Sequence, residues 1–289
     1  MNALVPITLF GWPLVVLLLF AKLPKHRAVI VAFLVAWLFL PVVHDPVLGL
    51  RWTKMRATCC SVVFASLCMD HKHFLSFRAR LVDLPMLVWC ISPFFSSLDN
   101  ELGVYDGCSQ SLDQFIAWGV PYLAGRLYLT TFDQLRDLAI GVIVSGLIYA
   151  PLCLFEIRVS PQLHTWVYGY FPHVSFFQTM RYGGFRPTVF MEHGLAVGAW
   201  MCTVTLTAFW LWRCRAFPQF RLWALRAPPI LITSGLFFVL VLSKSFGAIG
   251  LGLAGALTLL SCSWSRLRIF ALILLLVPLF YVYGRAVGG

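Results

Sequence analysis

Long apolar runs separated by short polar segments dominate this sequence. Runs of about 17 to 25 apolar residues can cross roughly 30 Å of hydrocarbon as helices, because a helix satisfies its backbone polar groups internally. The predicted spans are residues 4–20, 28–43, 57–69, 84–98, 112–125, 138–156, 188–212, 228–242, 248–262 and 269–284. We therefore predict an all-α, polytopic transmembrane helix bundle of about ten spans. The count falls to eight or nine if the short runs 57–69 and 112–125 are re-entrant or interfacial.

The basic residues favour one orientation of this bundle. They follow odd-numbered spans, in segments 22–27, 72–80, 213–226 and 266–268. Lys and Arg resist translocation, so these segments are predicted to be cytoplasmic. The N-terminus and segments 99–111, 157–187 and 243–247 then lie outside. The segment 44–56 breaks the rule, because it carries Arg51, Lys54 and Arg56 on the outer side.

Composition agrees with a bilayer protein. Hydrophobic residues make up 60% of the chain, mean hydropathy is +0.85, and only 11% of residues are charged, against about a quarter in soluble domains. The net charge of +11 follows from the predicted topology and from anionic lipid at the cytoplasmic face, so the bilayer is the expected partner and nucleic acid is not. Nine cysteines lack metal-ligand spacing, and no nucleotide fingerprint occurs. No metal site and no cofactor are expected.

A cationic motif at residues 181–193 departs from the positive-inside pattern. Arg181 and Arg186 flank two glycines, and Pro187 suits the first turn of the next predicted helix. Two guanidiniums beside a helix N-terminus can bind a phosphate or diphosphate through forked hydrogen bonds and the helix dipole. Arg186 and His193 are expected to share a helical face, so that both reach one cavity, with Glu192 beside them.

A structural interpretation of the same motif stays open. The outer segment 157–187 is rich in aromatic residues, which are typical of an interfacial belt or of a short helix on the membrane surface. Arg181 and Arg186 would then extend to lipid headgroups, and Glu192 would pair with His193 or a neighbour. Glu156 beside Arg158 predicts an interfacial ion pair.

Two other cations have a similar character. Lys244 lies between two predicted spans, flanked by Ser243 and Ser245. One interpretation is that its ammonium reaches a phosphate, and the other is that it is part of a plain tight turn and extends to the membrane surface. Arg126 ends a short span that contains Pro121. The predicted topology puts Arg126 inside, and only a re-entrant segment would bring it to an outer cavity.

These motifs together resemble the O-antigen ligase and O-antigen polymerase family over residues 110–289. The resemblance is carried by Gly-Arg126 after a Pro-containing span, by Gly183-Gly-Phe-Arg186-Pro, and by Ser243-Lys-Ser245-Phe-Gly-Ala, where the family usually has Ser-Arg-Gly or a near variant. It implies a metal-independent glycosyltransferase of the bacterial inner membrane. Such enzymes transfer an undecaprenyl-diphosphate-linked glycan to a hydroxyl of a glycan or lipid acceptor at the periplasmic face.

The resemblance also implies roles for individual residues. Arg186, with Arg181, matches the family's diphosphate-binding arginine, and Lys244 stands where another basic residue is common. Arg126 and Glu192 complete the expected substrate-binding set. His193 is not a residue of the family's motifs; it is the candidate to stand in as base for a histidine that family members carry in a later loop, and the alternative is that it packs and hydrogen-bonds within the bundle.

Family members carry a large periplasmic loop with a histidine late in the chain, followed by further spans. Residues 1–289 are therefore expected to form a single transmembrane domain, with an outer loop at 157–187, that lacks this C-terminal part. Two other functions stay open. One is a non-enzymatic transporter or flippase of a lipid-linked or anionic solute, and the other is an inactive truncated fragment.

Overall fold

The computed structural model describes residues 2–43, 52–172, 175–181, 183–218, 221–222, 225–261 and 268–287. Two of the predicted basic positions, Arg51 and Arg266, lie outside these residues. The chain divides into two compact units, Met1–His193 and Gly194–Gly289, and each is described by itself.

The protein is nearly all α-helical, with about 78% of residues in helices. In the first unit the α-helices are α1 (Leu4–Lys22), α2 (Lys25–Phe39), α3 (Lys54–Met69), α4 (His71–Leu75), α5 (Leu84–Asp99), α6 (Val104–Gln114), α7 (Val120–Tyr128), α8 (Phe132–Arg158) and α9 (Leu163–Tyr168). In the second unit they are α10 (Gly194–Arg213), α11 (Pro229–Leu242), α12 (Phe246–Ser261) and α13 (Arg268–Val287). The strands are β1 (Met180–Arg181) with β2 (Gly184–Phe185), and β3 (Arg221–Leu222) with β4 (Leu225–Arg226), each pair antiparallel.

Four helical segments of the described chain are long and apolar enough to cross a membrane. They are Leu4–Lys22, Leu81–Asp99, Phe132–Arg158 and Gly194–Arg213. Apolar side chains cover their outer surfaces, as Leu14 at 67% and Phe95 at 65% exposure illustrate. Exposed apolar patches of this extent are unfavourable in water and favourable in hydrocarbon. The structure thus indicates a membrane protein with four candidate spans, and a ten-span bundle is not established by it.

The first unit has two opposite ends. At one end Arg27 Nε donates to the carboxylate of Asp137 at 2.7 Å. At the other end the backbone N–H of Asn2 donates to the carbonyl of Tyr168 at 3.1 Å. Residues 137 and 156, near the two ends of α8, are about 28 Å apart at 1.5 Å per residue.

The end that contains Asp137 is here called the basic end. His73 Nε2 lies 3.0 Å from the carbonyl oxygen of Leu127, so the connections 70–83 and 126–137 both belong to it. Its cations are Lys22, Lys25, Arg27, Lys72, Arg78, Arg80, Arg126 and Arg136. The opposite end, where residues 159–193 fold over the ends of α1, α2 and α8, is called the loop end.

The run predicted at 112–125 is part of a longer helical stretch. α6 and α7 are joined by a π-helical segment at Phe115–Gly119, so helical backbone continues from residue 104 to residue 128. Pro121 has no N–H to donate and its ring crowds the carbonyl one turn earlier, which favours a local π turn at this place. The run that looked too short is therefore extended into the segment predicted as an outer loop.

The helix predicted at 188–212 begins later than the sequence indicated. α10 starts at Gly194, and the preceding residues 186–193 are not helical. Val189 has φ of +51°, in the left-handed region that a β-branched residue rarely adopts. The prediction that Arg186 and His193 share a face of this helix is therefore wrong, as is the placement of Arg186 at its N-terminus.

The second unit is built on close packing of α10 against α11 and α12. A Cβ added at Gly198 of α10 would lie 2.6 Å from the Cβ and Oγ atoms of Ser245. Glycine at 198 thus allows the turn between α11 and α12 to approach the first turns of α10. This turn contains Lys244.

Candidate functional site

A β-hairpin at the loop end positions the two candidate arginines. Arg181 pairs with Gly184 across the hairpin, and the N–H of Arg186 donates to the carbonyl of Thr179 at 2.7 Å, which continues the register. Gly183 adopts φ of +67° in the turn, which a glycine does without steric cost. Arg186 faces Thr179, two residues from Arg181, so the two arginines are diagonal neighbours on one face. The sequence motif does bring them together, through a hairpin instead of a helix start.

The two arginines differ in burial. Arg181 is exposed, whereas Arg186 is only 4% exposed. Burial lowers the pKa of Arg186 below its ordinary value, and the positive charge of Arg181 lowers it further. When a guanidinium is desolvated and repelled by a second cation, an anion that contacts both groups stabilises its charged form.

Glu156, at the end of α8, holds the loop that carries the hairpin. It is fully buried, and its carboxylate accepts hydrogen bonds from the backbone N–H groups of Leu163, Thr188 and Val189 at 3.0, 2.8 and 2.7 Å. The ion pair predicted between Glu156 and Arg158 is absent from the described residues. Its absence has a physical reason, because three backbone donors from two distant segments already surround the carboxylate.

Aromatic side chains attach the same loop to the end of α2. The hydroxyl of Tyr168 donates to the carbonyl of Phe39 at 2.6 Å, and the hydroxyl of Tyr170 donates to the carbonyl of Val42. Burial raises the pKa of Tyr168 to about 12 and raises that of Tyr170 also. These tyrosines are therefore neutral hydrogen-bond donors, and the aromatic density of segment 157–187 is packed against the unit.

His164 lies at the centre of this attachment. It is 1% exposed, its Nδ1 lies 2.9 Å from the carbonyl oxygen of Tyr170, and its Nε2 lies 3.4 Å from the backbone nitrogen of Val42. A carbonyl on one side and an N–H on the other require a neutral imidazole with its proton on Nδ1. Burial lowers the pKa of His164 to about 4, against the weaker opposing effect of the Tyr170 carbonyl.

Glu192 and His193 precede α10 instead of lying inside it. Glu192 is exposed, and the Nε2 atom of His193 lies 3.3 Å from Oε1 of Gln178, just before the hairpin. An amide oxygen accepts a hydrogen bond from Nε2–H, which favours the neutral tautomer of His193 that carries its proton on Nε2. The structure thus keeps His193 near the arginine hairpin by a contact that the sequence did not indicate.

Lys54 is a further basic residue of the loop end that the sequence motif missed. Its ammonium donates to the carbonyl of Trp37 at 3.1 Å and lies 5.1 Å from the centre of the Trp37 ring. Burial lowers the pKa of Lys54 to about 8, and the nearby carboxylate of Glu192 opposes this shift. The exception to the positive-inside pattern at 51–56 was the signal that could have identified it. Arg56, from the same segment, pairs with Asp113.

Arg126 does not join the loop end. It lies at the basic end, where its Nε donates to the carboxylate of Asp83 at 2.7 Å and its Nη2 donates at 3.3 Å. The alternative that would bring Arg126 to the cavity of the other two arginines is therefore wrong. The distance between the two ends separates Arg126 from Arg181 and Arg186.

Lys244 belongs to the second unit. It occupies the turn between α11 and α12 with φ of +54° and is half-buried, between the buried Ser243 and Ser245. A non-glycine residue in the left-handed region costs about 1 kcal/mol or more. Such strain is found at turns and at binding sites, and the turn interpretation of Lys244 stays open beside the phosphate interpretation.

The described residues contain no group of three or more His, Cys, Asp or Glu side chains arranged to hold a metal ion. Comparison of the chain with protein-family models, curated proteins and solved structures found no match.

Proposed function

We propose that this protein is a glycosyltransferase of the bacterial inner membrane that uses a polyprenyl-diphosphate-linked glycan. The loop end faces the periplasm in this proposal, and the chain crosses the membrane about ten times. The other helices supply the remaining spans beside the four candidates, among them the shorter apolar helices α11 and α12. The resemblance over residues 110–289 and the positive-inside pattern support this assignment.

One observation carries the proposal. Arg181 and Arg186 lie on one face of a hairpin, and the buried Arg186 has a lowered pKa. A diphosphate placed against both would offset the repulsion between the two cations and accept charge-assisted hydrogen bonds from them. Preorganised guanidiniums also stabilise the charge that develops on a departing diphosphate.

The proposed reaction is a direct displacement. The acceptor hydroxyl oxygen attacks the anomeric carbon of the donor glycan, and the bond from that carbon to the diphosphate oxygen breaks. The bonding pair leaves with the polyprenyl diphosphate, which Arg181 and Arg186 hold. Nδ1 of His193 accepts the hydroxyl proton, while its Nε2 contact with Gln178 orients the ring. Lys54 is a further cation of the loop end for the substrate. Arg126 has no part in this step, and Lys244, which belongs to the second unit, is assigned none.

The test compares variants reconstituted in proteoliposomes with an undecaprenyl-diphosphate-linked oligosaccharide as donor. Arg186→Ala should reduce the rate of glycan transfer roughly a hundredfold, as loss of one preorganised donor does in other transfer enzymes. Arg186→Lys should retain part of the rate, because it keeps the charge and loses the fork. Arg158→Ala, which removes an exposed arginine of the same end, is the matched control and should leave transfer unchanged.

Two results would contradict the proposal. Normal transfer by Arg186→Ala would remove this arginine from the mechanism. Accumulation of a lipid-linked or anionic solute inside vesicles, with no new glycosidic bond, would favour the transporter instead.

A further inference from the structure

A cleft at the basic end combines cationic side chains from two connections. It has a volume of about 810 Å³, and Arg78, Arg80 and Arg126 line it together with His73 and Thr130. Arg78 and Arg80 are exposed, and neither forms an ion pair within the described part of the chain. Of the three guanidiniums that line the cleft, that of Arg126 pairs with the carboxylate of Asp83, so the cleft keeps the two positive charges of Arg78 and Arg80.

An apolar cavity adjoins this cleft. It has a volume of about 740 Å³ and is lined mainly by Leu84, Leu87, Cys90, Phe115 and Leu123. Phe77, Arg80 and Tyr122 line both the cleft and the cavity, so the two spaces share a boundary. Ligand sites in proteins commonly have volumes of about 300–1,000 Å³, which both spaces satisfy.

The boundary between the two spaces is held in place. The Tyr122 hydroxyl donates to Asp83 at 2.5 Å, and the same carboxylate accepts from the N–H of Arg80 at 2.7 Å and from Arg126. Leu81, next to this network, is 89% exposed, which favours contact with lipid over contact with water. A fixed network thus separates a cationic compartment from an apolar one at the predicted edge of the membrane.

We propose that the basic end binds one anionic glycerophospholipid of the adjoining leaflet. Its phosphate headgroup lies against Arg78 and Arg80 in the cleft, and an acyl chain occupies the apolar cavity beside Leu87. Two positive charges complement an anionic headgroup, and the cavity supplies the apolar contact that a water-soluble phosphate cannot use. This site is independent of the proposed glycan transfer, because it lies at the opposite end of the unit from Arg186.

Native mass spectrometry of the purified full chain, after delipidation, tests the proposal. The probes are phosphatidylglycerol and phosphatidylcholine with identical acyl chains, and glycerol 3-phosphate as the soluble headgroup. The wild-type protein should retain phosphatidylglycerol in preference to phosphatidylcholine, and glycerol 3-phosphate should not displace it. Combined Arg78→Ala and Arg80→Ala should weaken phosphatidylglycerol binding by roughly ten- to thirtyfold, the effect expected of two headgroup charges.

Three control variants sharpen the result. Arg136→Ala removes an exposed cation of the basic end that does not line the cleft, and Arg158→Ala removes an exposed cation of the loop end; both should retain the preference. Leu87→Trp, which fills the cavity, should weaken binding of phosphatidylglycerol. Equal retention of the two lipids, equal loss in Arg136→Ala, unchanged binding in Leu87→Trp, or full competition by glycerol 3-phosphate would each overturn the proposal.

Discussion

The carboxylate of Glu156 accepts a hydrogen bond of 2.7 Å from the backbone N–H of Val189, 33 residues further along the chain. Val189 has φ of +51°, a conformation that costs a β-branched residue about 1–3 kcal/mol. The same side chain also accepts from Leu163 and Thr188. One buried carboxylate therefore joins both ends of the loop that carries the arginine hairpin, and its hydrogen bonds offset the strain at Val189.

Substitution of Glu156 should detach this loop in a graded manner. Glu156→Ala leaves the two buried N–H groups of Thr188 and Val189 without an acceptor, each costing about 1–3 kcal/mol, and also the part-buried N–H of Leu163. Residues 159–193 should therefore become sensitive to protease, and the unfolding temperature should fall. Glu156→Gln keeps one acceptor oxygen and should fall between alanine and wild type. Thermal unfolding in detergent, together with limited proteolysis, measures both effects.

The matched control is Asp106→Asn, which removes an exposed carboxylate in the first turn of α6 and should cost a few tenths of a kcal/mol. If Glu156→Ala unfolds and is cleaved as the wild-type protein is, Glu156 does not hold the loop.

Acid should loosen the loop end through His164. The pKa of this buried imidazole is about 4 in the folded protein, below its ordinary value of 6.5. Between these two values the unfolded chain binds a proton that the folded chain does not, so stability falls as pH falls, by up to about 1.4 kcal/mol per pH unit. Above pH 6.5 this contribution is constant and favours the folded state. Hydrogen exchange of peptides from residues 159–172 at several pH values should show the loss.

Two variants separate His164 from the other titrating groups. His164→Gln should flatten the pH dependence of exchange between pH 6.5 and 4, whereas His71→Gln, at the exposed α4, should leave it unchanged. An identical pH dependence in His164→Gln and wild type would exclude this imidazole as the source.

The sequence predicted the bounds of helices well where the apolar pattern of a single helix determines them. It predicted them poorly where contacts with distant residues determine them. Apolar runs identified α1, α5, α8 and α10 because each run coincides with one helix that is long and apolar enough to cross a membrane. The start of α10 was misplaced because Thr188 and Val189 look like its first turn. Their N–H groups instead bond to Glu156 across more than 30 residues, which no local pattern reveals.

The candidate site shows the same division. The proximity of Arg181 and Arg186 could be predicted from their spacing around two glycines. The hairpin that brings them together could not. The positive-inside pattern predicted that Arg126 lies on the other side from these two arginines. Its contact with Asp83 is at the basic end, away from them. Lys54 was missed because its hydrogen bond to Trp37 and its electrostatic interaction with Glu192 involve other segments of the chain.

Alanine substitutions at two glycines of the second unit should change the stability of the protein in opposite directions. The Cβ of Gly198→Ala would meet Ser245 at 2.6 Å, so α10 and α12 must move apart, at a cost of about 1–3 kcal/mol. Gly250→Ala in α12 meets no atom within 4 Å and should gain about 0.5–1 kcal/mol from helix propensity. Thermal unfolding of the two variants in detergent measures the difference. A Gly198→Ala protein as stable as Gly250→Ala would contradict the close contact at the turn that carries Lys244.

Removal of the Asp83 carboxylate should strengthen the proposed lipid site while it weakens the fold around it. Asp83→Asn leaves Arg126 and the cleft with one more uncompensated positive charge, so phosphatidylglycerol should bind roughly fivefold more tightly. The same change weakens the hydrogen bonds from Arg126, Tyr122 and the N–H of Arg80, and should lower stability by about 1–3 kcal/mol.

The two effects of Asp83→Asn have opposite signs, which distinguishes electrostatic attraction from a general loss of structure. Asp133→Asn removes an exposed carboxylate of the basic end that does not line the cleft. It changes the net charge by the same amount at a greater distance, so it should change neither lipid binding nor stability appreciably. Weaker phosphatidylglycerol binding in Asp83→Asn would mean that the carboxylate shapes the cleft more than its charge opposes the lipid. Equal strengthening in Asp133→Asn would assign the preference to the net charge of the basic end instead of to the guanidiniums of the cleft.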